Sequence, residues 1–170
     1  MATKGSRPGG RDAGTGIDDE SPAARAARNF IELLQGFRVA VTGVQVLFAF
    51  LLTVPFAPGF AKVAVTDRWL FYVALIGAAL ASMFFIAPVA QHRILFRQGR
   101  KETLVKRSNR YGLFGTVALA VSMTAATLMV VDYLFSSALA IGTAAGAALL
   151  ASWLWFIEPA LDRRSHGKRA

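Results

Sequence analysis

Cysteine is absent from the chain, which excludes a disulfide framework and any thiolate metal site. Histidine occurs only as His92 and His166, too few and in segments too exposed for an imidazole metal site, so no metal is expected and no cofactor. No pair of carboxylates, no His/Cys cluster, no glycine-rich phosphate loop after a strand and no Ser/His/Asp set is present. With no catalytic constellation to name, the expectation is a protein that is not an enzyme. The first 38 residues also lack an apolar stretch ahead of a small-residue cleavage motif, so the first long apolar run is expected to act as the targeting signal.

Charge is scarce too, at 17% of residues, while 55% are hydrophobic and the mean hydropathy is +0.47. An average soluble domain is roughly 45 to 50% apolar and about 25% charged. The apolar residues gather in four charge-free intervals, Val39 to Ala61, Trp69 to Gln91, Tyr111 to Val131 and Tyr133 to Ile157. About 20 helical residues cross the roughly 30 Å hydrocarbon core, so each interval is long enough. Lipid offers the backbone no hydrogen-bond partner, which makes these spans helices. A buried helix of a soluble bundle would carry a polar stripe, whereas ionisable residues here stand only at the ends. Ion- or proton-coupled transport usually keeps ionisable groups inside the spans, and that absence argues against it.

The nineteen Lys and Arg outnumber the ten Asp and Glu and give a net charge of +9. Six basic residues precede the first span, two lie in the first loop, seven in the second, none in the third and four in the C-terminal tail. Four crossings place seventeen of the nineteen on one side, the positive-inside pattern with the N- and C-termini both cytoplasmic. Asp132 and Glu158, at span ends, then fall on opposite sides and cannot form a catalytic dyad. The second loop, with Arg93, Arg97, Arg100, Lys101, Lys106, Arg107 and Arg110, is the expected contact for anionic lipid headgroups or a partner protein. No nucleic-acid-binding motif and no aromatic platform accompanies the charge, so nucleic acid is not an expected partner.

Along the chain, residues 1–20 read as a disordered cytoplasmic tail. Ser21 as N-cap and Pro22 at the first helical position open an amphipathic helix over 21–38, with Phe30, Leu33, Leu34 and Phe37 on one face. An extension of the first span packed on the second loop is the alternative. A four-helix transmembrane domain follows over 39–161, with spans at about 39–57, 69–90, 111–131 and 137–157, and a basic tail over 162–170 closes the chain. The fold class is therefore all-α: a polytopic membrane protein of four transmembrane helices preceded by an amphipathic helix.

Small and polar residues mark the expected helix-packing faces: Thr42 and Gln45 with Ala49 and Thr53 in the first span, Gly77 with Ala78 and Ala81 in the second, Gly142 and Gly146 in the fourth. Gly112 and Gly115 in the third are expected to meet no close crossing. The second loop reads as helical extensions of its flanking spans, broken near Gln98-Gly99. "FFIAPVAQHR" placed on "WFIEPALDRR" aligns Pro88 with Pro159 and gives a faint internal repeat.

The stretches "RNFIELLQGFRVAVTGVQVLFAFLLTVPF" and "IAPVAQHRILFRQGRKETLVKRSNR", with the four-span layout, resemble an uncharacterised family of small bacterial integral membrane proteins defined as a domain of unknown function. The resemblance implies four spans in a bacterial inner membrane and brings no activity. The leading functional expectation is a non-enzymatic membrane protein whose basic cytoplasmic face binds anionic lipid or a partner. A homo-oligomer or another membrane protein is the expected protein partner. The rival is an oligomeric pore or small-solute transporter lined by Thr42, Gln45 and Thr53. An enzyme acting on lipid headgroups through His92 is the third option.

Overall fold

The computed structural model describes residues 22–95 and 101–166, all of the regular structure being helical. Helix α1 runs over Pro22–Thr53, α2 over Val65–Leu95, α3 over Lys101–Leu134, α4 over Ser137–Ser152 and α5 over Glu158–His166. Residues 1–20, the expected cap Ser21 and the expected break at Gln98-Gly99 lie outside the described residues. The extensions flanking that break are present, since α2 continues to Leu95 and α3 already begins at Lys101.

Among the described residues four helical stretches are long and apolar enough to cross a membrane: Leu34–Phe56, Val65–Gln91, Arg107–Leu134 and Ser137–Asp162. The shortest, 23 residues, reaches about 34 Å at 1.5 Å per residue, more than the hydrocarbon core requires. Each ends where the sequence supplies a reason. Pro55 has no N–H to continue α1, and two short 3-10 turns, Val54–Phe56 and Phe60–Lys62, carry the chain across to α2. Asp67 in the first turn of α2 meets the positive end of that helix. Ser136, in an extended conformation, separates α3 from α4.

The expected separate amphipathic helix over 21–38 is not found; α1 is unbroken from Pro22 to Thr53. Gly36 is the one potential break in this region, and a lone helical glycine costs only about 1 kcal/mol against alanine. The bundle compensates, because Phe37 is buried one residue later, with its ring 6.0 Å from that of Phe85 in α2. The segment before the first span thus continues without interruption into the spanning helix.

The interior combines small residues with a few large ones, chiefly phenylalanines. On α2, Asp67, Phe71, Ala74, Ala78, Ala81, Phe85 and Pro88 are buried at alternating spacings of four and three. That is the spacing of a left-handed coiled-coil seam. On α3, Ser108, Gly115, Ser122 and Met129 are buried at intervals of seven, and on α1 Phe37, Val44 and Leu51 likewise. Two clusters fill the seam: Leu51, Phe71, Ala74, Ala78, Ala125 and Met129 toward the first loop, and Phe37, Val44, Ala81 and Phe85 toward the second. Large apolar side chains such as Phe50, Leu80, Val121 and Leu149 point outward.

Helix α4 packs on α3 through Ala140 and Ala144. Its last turn widens into a π-helical turn, Trp153–Ile157, before α5. Pro159 explains it: a proline ring collides with the carbonyl four residues back and leaves it unbonded, and the wider turn, in which the Glu158 N–H reaches the Trp153 carbonyl, makes room. Pro88, by contrast, sits fully buried within the continuous α-helix α2. The two prolines aligned by the faint repeat therefore stand in different local structure.

Candidate functional site at the basic end of the bundle

The chain runs up and down, so the start of α1, the end of α2, the start of α3 and α5 share one end of the bundle, and the two short turns and Ser136 share the other. Arg25, Arg28 and Arg38 on α1, Arg93 on α2 and Arg107 and Arg110 on α3 lie toward the first of these ends, while Lys62 and Arg68 stand at the other. The Arg93, Arg107 and Arg110 side chains are exposed. Lys101 and Lys106 belong to α3, though their side chains, like that of His92, lie outside the described set; Arg97 and Arg100 lie outside the described residues altogether.

Beneath the arginines α2 and α3 are joined by polar and aromatic contacts. Gln91 Nε2 donates to the Tyr111 hydroxyl at 3.1 Å, and Phe84 lies over Tyr111 in a stacked pair with ring centroids 6.3 Å apart. Ser108, one turn before Tyr111, is completely enclosed, and among the described residues neither its Oγ nor Gln91 Oε1 has a hydrogen-bond partner. These contacts join α2 to α3 close to where the arginines stand, and the Arg93, Arg107 and Arg110 side chains are left exposed. Among the described residues no group of three His, Cys, Asp or Glu is placed to hold a metal ion.

The expected packing positions part company. Gly77 is at a tight crossing: a Cβ there would stand 2.9 Å from Ser122 Cβ and 3.0 Å from the Ala118 carbonyl oxygen. Just beside it Ser122 Oγ donates to the Ala74 carbonyl at 2.6 Å across the helix pair. Gly142 and Gly146 are exposed with nothing within 4 Å, so within the chain the contact expected of them falls to Ala140 and Ala144 instead. Gly112 and Gly115, for which no close crossing was expected, are at two: a Cβ would meet the Phe37 ring at 2.9 Å and the Phe85 ring at 2.7 Å. Thr42, Gln45 and Thr53 lie on the exposed side of α1, away from Val44 and the core, and so line no path inside the chain.

Two features escaped the sequence. Asp67 is buried at the far end of the bundle with Oδ1 unpartnered among the described residues, and only its place two residues after the start of α2 hinted at a role. Near it an apolar cleft of about 270 Å³ opens between Phe60, Val63, Met129 and Tyr133. The Tyr133 hydroxyl there lies 3.1 Å from where a Cβ on Gly59 would stand, so the absent side chain makes room for the ring.

Four helices of spanning length, many small residues at the helix contacts and a surface rich in exposed large apolar side chains together define a polytopic helical membrane protein. The family described as "Family of unknown function (DUF6328)" matches residues 19–159, and the chain belongs to it. No curated protein matches the chain, and no solved structure does.

Proposed function

We propose that this chain is a non-enzymatic protein of the cell membrane, with both terminal segments in the cytoplasm, whose basic face gathers anionic lipid headgroups around the α2–α3 hairpin. The observation that carries this reading is the distribution of charge along the sequence: seventeen of nineteen Lys and Arg fall in the N-terminal region, the second loop and the C-terminal tail, the segments that four crossings put on one side. Anionic headgroups attract such residues by roughly 1 kcal/mol each near the surface, and the aliphatic stems of Arg and Lys lie along the acyl region while their heads reach phosphate.

Orientation and lipid binding are tested separately. The chain has no native cysteine, so single thiols report sidedness directly. Asn109→Cys at the basic end should resist an impermeant thiol reagent in intact cells, and Ser137→Cys at the far end should react; both positions are exposed. The reverse pattern inverts the topology. For lipid, replacing Arg93, Arg107 and Arg110 by glutamine should lower the amount of anionic lipid retained through purification in mild detergent. Unchanged retention with topology intact reduces the arginines to topological anchors, and loss of a copurifying protein in its place assigns the face to a protein partner.

A further inference from the structure

Gln45 occupies the midpoint of the first span, Leu34–Phe56. Its side chain is exposed on the bundle surface, and no hydrogen bond to it is formed among the described residues. The neighbouring threonines bond within their own helix: Thr42 Oγ1 donates to the Arg38 carbonyl at 3.0 Å and Thr53 Oγ1 to the Phe50 carbonyl at 2.7 Å. Gln45 makes no such bond. An amide left unpaired at this depth is unfavourable because hydrocarbon supplies neither donor nor acceptor.

We infer that α1 pairs with α1 of a second copy of this chain, the Gln45 amides donating to and accepting from one another at the crossing. Symmetry selects the partner. Copies inserted in the same direction are related by a two-fold axis along the membrane normal, which brings equivalent residues of the two helices face to face. Only a side chain with both a donor and an acceptor satisfies its own copy in that arrangement; an ammonium or a carboxylate repels it. The primary amide has both.

The rest of the face is compatible with close approach. Stepping 100° per residue, Thr42, Gln45, Ala49 and Thr53 share the side of α1 away from the buried stripe of Phe37, Val44 and Leu51, and all four are exposed. Ala49 and Thr42, one turn to either side of Gln45, are small enough for two backbones to come together. Arg38, at the basic end of the same side, has the reach to turn toward headgroups and leave the crossing. The pairing depends on the spanning of α1 and not on lipid binding at the arginines, so either proposal survives failure of the other.

Crosslinking in the otherwise cysteine-free chain tests it. In membranes, oxidation of the Ala49→Cys chain should give a disulfide-linked dimer, while Gly142→Cys, exposed on α4, should not. Adding Gln45→Leu should weaken dimerisation roughly five- to thirty-fold, the range for interhelical polar contacts in model peptides. Gln45→Asn, which keeps the amide, should retain most of it. The melting temperature of the Gln45→Leu monomer in detergent should be unchanged, because Gln45 holds nothing within the chain. Failure of Ala49→Cys to crosslink, equal crosslinking with Gln45→Leu, crosslinking through Gly142→Cys in its place, linkage to a different protein, or a lowered monomer melting temperature each overturns the proposal.

Discussion

The α2–α3 hairpin and helix α4 are written in the same alphabet of glycine, alanine and serine, yet they use it differently. In the hairpin glycine is where another helix comes closest: Gly77 faces Ser122 and the Ala118 carbonyl, and Gly115 faces the ring of Phe85. In α4 the glycines of the GxxxG pattern meet nothing, and the alanines two residues before each of them make the contact with α3. The lesson is that spacing identifies a helix face capable of close approach, while the partner helix decides which of several such faces is used. Ala140 and Ala144 form a small-xxx-small pair as good as Gly142 and Gly146, and a poly-small helix offers both.

The contrast has a graded set of consequences. Gly77→Leu should be the most damaging change, because the new side chain meets backbone and Cβ atoms of α3 that have no rotamer to escape into. It should cost 3 kcal/mol or more on the usual scale of overpacking, about 1 to 3 kcal/mol, and show as a large fall in detergent melting temperature. Gly115→Ala comes next, at about 1 to 3 kcal/mol, since the Phe85 ring is itself buried; Phe85→Leu in the same chain should recover part of the loss. Ser122→Ala removes the bond to the Ala74 carbonyl and should cost about 1 kcal/mol by the same measurement. The double change Gly142→Leu with Gly146→Leu should be the mildest, within about 0.5 kcal/mol, as for surface substitutions clear of packing. A double change as damaging as Gly115→Ala would erase the distinction between the two regions.

The number of spans, their helical nature and the helical extensions into the second loop were legible in the sequence because they follow from run length and the cost of an unpaired backbone in lipid. Gly77 was legible because Ala78 and Ala81 beside it narrowed the choice of face. Gly112 and Gly115 were not. Their crossings depend on which rings approach them, Phe37 from α1 and Phe85 from α2, and that is a property of the three-helix arrangement rather than of any local spacing. The polar stripe of α1 was visible as a stripe, but its direction was not: Phe37, Val44 and Leu51, seven residues apart, captured the interior and turned Gln45 outward. At the basic end the cationic residues could be counted in the sequence, whereas the Gln91–Tyr111 bond beneath them needed the antiparallel register of α2 and α3.

Among the described residues α4 packs on α3 through Ala140 and Ala144, and the two core clusters of the α1–α3 seam contain no residue of α4, so every residue of that seam has been synthesised before α4. Order in time then follows from order in the chain. The ribosome delivers the residues of the α1–α3 seam first, and α4, whose buried Ala140 and Ala144 lie outside both core clusters, arrives afterwards as an addition to their surface.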